Sequence, residues 1–319
     1  MSGLPAETPG RDEFEGALPE RLDPEEIRRM SRIEPAISAL HIAGEWALIV
    51  AAGWLCWRFW HPLLYPVAVA FIGARQHALL ILMHDGAHYR LFRSRALNDW
   101  VGELLLAWPF VVVSMRAYRR NHFPHHRHLN TAKDPDWVRK QTSEWVFPKN
   151  RWQLALVLLQ HFVGVGFLKF VVTARRVGTR ATSDPEPPAF RLARVAYLAA
   201  ICGTLTLSRT WTPFLLFWVL PFVTWTQLVF HVRSIAEHFS IRQRSGVYAE
   251  TRTVITTWFD ELFVLSKNGN YHLEHHLYPS VPFHRLRELH RALMSRESYR
   301  SGAHVTRGYW RVLGECAAP

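Results

Sequence analysis

The chain has 319 residues, of which 49% are hydrophobic and 20% charged, and a formal net charge of +12. Its apolar residues are gathered into long runs between stretches dense in Arg and His, and no nucleic-acid module is legible. That pattern fits basic cytoplasmic loops beside anionic lipid better than phosphate binding. Three widely separated cysteines, Cys56, Cys202 and Cys316, exclude a disulfide framework and a Cys-x-x-Cys metal knuckle.

Residues 1–40 are charged and contain Pro without an early apolar core, so they read as a cytoplasmic tail and not as a cleavable signal. Apolar runs then extend from about Trp46 to Trp60 and from about Pro62 to Met83. Together they are long enough for two crossings joined at His61 and Pro62. Arg75, Gln76 and His77 interrupt the second run and require neighbouring helices to face. Residues 101–115 are apolar but short and contain Pro109, whereas residues 152–174 are longer and flanked by basic side chains. Two further runs come next, roughly Leu192 to Leu207 and Trp211 to Phe230. The remainder has no comparable run, and its expected place is cytoplasmic or interfacial.

Eighteen histidines are present, and their spacing carries more than their number. His84 and His88 stand in H-D-G-A-H, His122, His125 and His126 in H-F-P-H-H, and His272, His275 and His276 in H-L-E-H-H. Spacings of three and four put imidazoles on one helical face. Pro124 is uncomfortable inside a helix, so the first triplet is expected at a helix start or an irregular turn. His238 comes after the last span and reads as a ninth ligand. His231, two turns earlier, reads as a ligand, a supporting donor or an interfacial side chain; His161 reads as bland.

Nine imidazoles exceed what one zinc takes, yet ligand type alone leaves iron, copper, nickel and zinc open. The Glu-x-x-His pairs of the soluble di-iron bundle are missing as a recognisable set. Glu237 and Glu274 are positioned to orient imidazoles or to bind basic side chains. If all clusters share one centre, an even number of crossings separates them. Segment 101–115 is then interfacial or re-entrant, and 152–174 lies on the cytoplasmic surface. The expected fold is an all-α integral membrane protein with four transmembrane helices in two hairpins, interfacial helices and a cytoplasmic histidine-rich metal-binding region.

The order H-D-G-A-H, H-F-P-H-H and N-Y-H-L-E-H-H-L-Y-P-S-V-P resembles the histidine boxes of the membrane fatty acid desaturase superfamily over about residues 40–295. The resemblance implies that His84, His88, His122, His125, His126, His238, His272, His275 and His276 bind two iron ions that use O2. It also implies that Ser234 stands where one branch has an asparagine near the metal, a departure in this chain. Asn130, Asp134 and Asp136 resemble the polar stretch after the second box, and Asn270 and Tyr271 precede the third. Their expected task is to hold ligands or basic loops.

The activity implied by this resemblance is desaturation of a fatty-acyl or lipid-linked chain; the alternative is hydroxylation or another oxidation of a lipid or terpenoid. A metal transporter or sensor is disfavoured because its ligands belong near the bilayer midplane, within spans. Arg116, Arg119 and Arg120 read first as a positive-inside cluster and second as contacts for a substrate's anionic head. No fused redox module is visible, so electrons are expected from a separate ferredoxin or cytochrome, and no nucleic-acid partner is expected. The expected location is the inner or cytoplasmic membrane, with both termini and the metal on the cytoplasmic side. Residues 41–295 would form the catalytic domain and 296–319 a C-terminal tail.

Overall fold

A computed structural model describes residues 18–180, 187–239 and 247–318. Four helices are long and apolar enough to cross a membrane: Pro35–Arg58, Leu64–Ala87, Pro188–Leu207 and Trp211–His238. After a short α1 (Pro24–Met30), the first two of these are α2 and α3, which form an antiparallel hairpin. Helix α3 is central, with 72% of its most apolar window buried, against 28% for α2. The outward side chains of these helices include Trp54, Leu64, Leu192, Val195 and Leu207, an apolar surface that suits lipid.

Helix α2 begins at Pro35, eleven residues before the apolar run starts. The reason is Glu45, which is buried, 3.5 Å from the Arg75 guanidinium and 2.6 Å from Lys267 Nζ. A charge that interrupts the apolar run is thus satisfied inside the protein. Arg75 also donates to the carbonyls of Glu261 and Leu262, and Gln76 donates to Trp218 and accepts from Thr226. The polar stretch in α3 faces protein, as its position required.

Neither doubtful segment is one straight span. Helix α4 (Arg95–Val101) continues through a π turn and a short 3₁₀ turn to Phe110, then meets α5 (Met115–Arg127) at a bend of 101°. Helices α6 (Pro135–Arg139), α7 (Arg151–Phe162) and α8 (Val165–Arg180) come next, and the α7–α8 corner is bent by 74°. The third long helix, α9 (Pro188–Leu207), precedes α10 (Trp211–His238), which contains a π stretch at Leu215–Val219.

The C-terminal region differs from a purely helical reading. Strand β1 (Thr253–Ile255) pairs in parallel with β2 (Val305–Arg307), Thr253 opposite Val305. Around this pair lie α11 (Trp258–Phe263), α12 (His272–Leu277), α13 (Leu286–Met294), α14 (Glu297–Gly302) and α15 (Tyr309–Cys316). Residues beyond 296 are built into the fold: Tyr299, Val312 and Cys316 are fully buried, and Lys149 exchanges backbone hydrogen bonds with Cys316 and Ala318. Leu18, Leu22 and Met30 likewise pack with Leu289 and Tyr299. Both stretches expected as tails therefore contribute core side chains, in runs too short to stand out as apolar segments.

Candidate metal centre

Four elements converge to build the centre. The last turn of α3 carries His84, and His88 caps it. His122, His125 and His126 lie on α5, His238 ends α10, and His272, His275 and His276 occupy α12. Helix α5 runs through Pro124 to Arg127, so the first triplet sits within a helix. A proline there loses the bond to the carbonyl four residues back and crowds that carbonyl, but the next turn holds through the His128 amide donating to the Pro124 carbonyl at 2.9 Å.

The nine histidines fall into two adjoining groups. His84, His88, His122, His126 and His275 form one, and His125, His238, His272 and His276 the other, with the ligand atoms of each within 4.8 Å of one another. In the first, Nε2 of His122 lies 2.9 Å from Nε2 of His88 and 3.0 Å from that of His126, which is 3.1 Å from Nε2 of His275. In the second, Nε2 of His272 lies 2.9 Å from that of His238 and 3.1 Å from that of His276. His126 and His276 stack with ring centroids 4.2 Å apart, so the groups share a wall.

Burial first, and the neighbouring imidazoles second, hold His122, His126, His272 and His275 well below the ordinary histidine pKa. Imidazole nitrogens crowded at hydrogen-bond distance, each ring offering one lone pair in its neutral form, are a donor set that a cation satisfies. The residues fit two metal ions, five imidazoles about one and four about the other.

The supporting polar groups sort by what they touch. Asp134, fully buried, accepts from His125 Nδ1 at 2.9 Å and from the Asn130 amide at 3.0 Å. Asn130 in turn donates its side chain to Glu250. Glu237 lies 3.4 Å from His272 Nδ1 and accepts from Arg233. Glu274 touches no box imidazole; it accepts from Thr253 Oγ1 at 2.6 Å and from Tyr299 Oη and His290 Nδ1 at 2.5 Å each. It braces α12 against β1, α13 and α14. Asn270 pairs with the backbone of Val254, at the same junction. Asp136 pairs with Arg139 and Lys140, which outweigh its burial and hold its carboxyl well below the usual range. His231 lies outside both groups, beside Glu144 and His161.

Two contributors were not among the expected residues. Tyr118, one turn before His122, places its hydroxyl 3.1 Å from His122 Nδ1. Asp85, inside the first box, accepts from the Phe283 amide at 2.7 Å and so ties the first box to the segment after the third. The i,i+4 spacing of Tyr118 and His122 was a readable signal. The Asp85 contact, spanning 198 positions, was not.

A cavity of about 270 Å³ opens beside the histidines. Val112, Val113, Phe170 and Phe230 line its apolar side, and His122, His125, His238, His272 and Ser234 its inner wall. Arg120, whose Nε has no partner, Arg139, Lys140 and Arg194 also border it. Arg116 and Arg119 are instead tied to Asp99 at 3.0 and 2.7 Å, and Arg119 also to the carbonyls of Gly86 and Ala87. Of the three arginines before the second box, only Arg120 borders this cavity.

An apolar helical body with two histidine groups able to hold metal beside a cavity is compatible with a membrane oxidoreductase, and the relatives of this chain indicate that class. The fatty acid desaturase family model matches residues 59–309, and the chain belongs to that family. It is 29% identical over 293 residues to the dihydrorhizobitoxine desaturase of Bradyrhizobium elkanii, covering 85% of this chain and 80% of the relative. It is 26% identical over 269 residues to the sn-1 acyl-lipid omega-3 desaturase (ferredoxin) of a Synechocystis strain, covering 79% and 71% of the two chains. A beta-carotene ketolase of a Paracoccus strain is 26% identical over 256 residues, covering 78% and 85%.

Proposed function

We propose that this protein is an O2-dependent di-iron desaturase of a hydrocarbon chain with an anionic or polar head. The observation that carries the reading is the gathering of nine imidazoles into groups of five and four in a member of this family. His84, His88, His122, His126 and His275 would hold one iron, and His125, His238, His272 and His276 the other. When bound, such a pair of irons supplies O2 activation and oxidation of an unactivated C–H bond.

The chain's own residues supply geometry. Asp134 fixes the His125 ring by taking its Nδ1 proton in a hydrogen bond, which leaves Nε2 as the lone-pair nitrogen; Tyr118 does the corresponding work at His122. Val112, Phe170 and Phe230 hold the chain and exclude water, and the Arg120 guanidinium, which borders the cavity, binds the head. Fixing a C–H bond against the histidine wall is where most of the rate gain available to the protein lies. Ser234, in that wall, occupies the position next to the second group.

In this reading the histidine centre faces the cytoplasm of a cytoplasmic membrane, the bent α4–α5 and α7–α8 pairs are one-sided, and residues 41–295 hold the catalytic machinery. Electrons come from a separate acidic carrier such as a ferredoxin, which the basic surface would attract. The test is iron-loaded protein with an electron donor and a panel of free fatty acids, acyl lipids and carotenoids. Mass spectrometry that finds loss of two hydrogens supports desaturation. Gain of one oxygen replaces it with the hydroxylase reading, and no change with any substrate overturns the oxidase assignment.

A further inference from the structure

A second constellation lies apart from the nine histidines. Glu144, His161 and His231 bring one ligand atom each within 4.8 Å of one another. His161 Nε2 lies 2.6 Å from Glu144 Oε1, and His231 Nδ1 lies 3.6 Å from the same oxygen. The two imidazoles stack, centroids 3.9 Å apart and planes 18° off parallel. His231 is 1% exposed and His161 8%. Nδ1 of His161 and both ring nitrogens of His231 have no hydrogen-bond partner.

Unpaired buried ring nitrogens are seldom left uncompensated, and here His231 Nδ1, unpaired and buried, lies 3.6 Å from the Glu144 carboxylate that His161 Nε2 also meets. The backbone has been shaped for them. A Cβ on Gly166 would fall 2.2 Å from His161 Nδ1, so only glycine lets α8 come this close, and Nε2 is left as the ring's ligand face. Trp145 covers His231 at 4.5 Å. Lys169, itself 43% exposed, engages the other carboxylate oxygen, Oε2, at 2.6 Å and leaves Oε1 directed at the imidazoles.

We propose that Glu144, His161 and His231 form a third metal site, distinct from the histidine-box centre, that takes a divalent cation of the zinc class. Two imidazole nitrogens and one carboxylate oxygen suit such an ion. Bonds of about 2.0–2.2 Å in a tetrahedral arrangement set donors about 3.3 Å apart. The 3.6 Å separation of His231 Nδ1 and Glu144 Oε1 already approaches that, and the 2.6 Å contact of His161 opens slightly to reach it. The site joins the turn before α7, α7 itself and α10. His231 precedes His238 by two helical turns on the same helix, so an ion here locks α10 in the position that delivers Ser234, Glu237 and His238. The proposal does not depend on which metal occupies the nine-histidine centre.

The experiment uses full-length, iron-loaded protein in detergent, equilibrated with zinc chloride, passed through a desalting column and assayed for zinc and iron by elemental mass spectrometry. Wild-type protein is expected to retain one zinc per chain beyond its iron. Glu144→Gln and His231→Gln are each expected to lower zinc affinity at least tenfold with iron content unchanged. Zinc-edge X-ray absorption on the wild type supplies a reading that needs no variant, with two imidazoles and a carboxylate oxygen expected about the ion. Absence of retained zinc, equal retention by both variants, or a zinc spectrum of imidazoles without a carboxylate overturns the site. The last two outcomes mean that zinc sits adventitiously or in the nine-histidine centre.

Discussion

Replacing Asp134 by alanine removes one buried carboxylate that serves three partners. It accepts from His125 Nδ1 at 2.9 Å, from the Asn130 amide at 3.0 Å and from the Asp136 amide at 2.8 Å, the last as the N-cap of α6. Loss of the cap costs about 1 kcal/mol of local stability. Loss of the histidine's orienting partner lowers metal affinity about 10–100-fold, or about 1.4–2.7 kcal/mol. The effect is local, because His125 belongs to the four-histidine group and the five-histidine group keeps all its members. Iron per chain at limiting supply should therefore fall from two toward about one. Asp134→Asn should fall between, since its amide oxygen can turn toward His125 and Asn130 while its NH2 faces the Asp136 amide. The assay is iron content after timed exposure to a chelator, with the release rate resolved into two phases. An alanine variant that keeps two irons and releases both at the wild-type rate would show that Asp134 does not support a metal ligand.

Other substitutions probe the scaffold and the cavity. Glu274→Gln weakens three hydrogen bonds from Thr253, Tyr299 and His290 inside the protein. It should lower stability by about 2–4 kcal/mol, visible as a fall in the thermal midpoint of detergent-solubilised protein; an unchanged midpoint would remove Glu274 from its bracing role. Arg120→Ala should raise KM for an anionic substrate at least tenfold with iron content unchanged, and an unaltered KM would place the head elsewhere. For metal-free protein, the lowered pKa values of His122, His126, His272 and His275 predict acid sensitivity. The unfolded chain takes up protons below about 6.5 while these buried rings do not, so their contribution is present above that pH and is lost as pH falls below it. Thermal midpoints at pH 7.5 and pH 5.5 measure this; equal values would contradict it.

Much of the centre was legible because it is local. The spacing of His84 with His88, of His122 with His125 and His126, and of His272 with His275 and His276 places each set on a helical face whatever the rest of the fold does. Order along the chain and the span pattern then picked out His238. The features that stayed hidden depend on distant pairing. Glu45 broke the first apolar run, and only its contacts with Arg75 and Lys267 show that α2 continues through it. Tyr299, Val312 and Cys316 are core residues in short amphipathic elements, which carry little hydropathy signal. Glu274 read as orienting imidazoles or binding basic side chains, and the helix turns it toward Tyr299 and His290, not toward the box histidines. His161 looked bland because its partners, Glu144 and His231, are 17 and 70 positions away.

The central claim, two irons held by nine histidines, is tested most directly by Mössbauer spectroscopy with iron quantification on full-length protein and on a His126→Ala, His272→Ala double variant, which removes one ligand from each group. The expected result is two irons per wild-type chain in a coupled pair, and loss of that coupled signal in the double variant while the protein still inserts in the membrane. A wild-type protein that binds no iron, or a double variant that keeps the coupled pair, would contradict it.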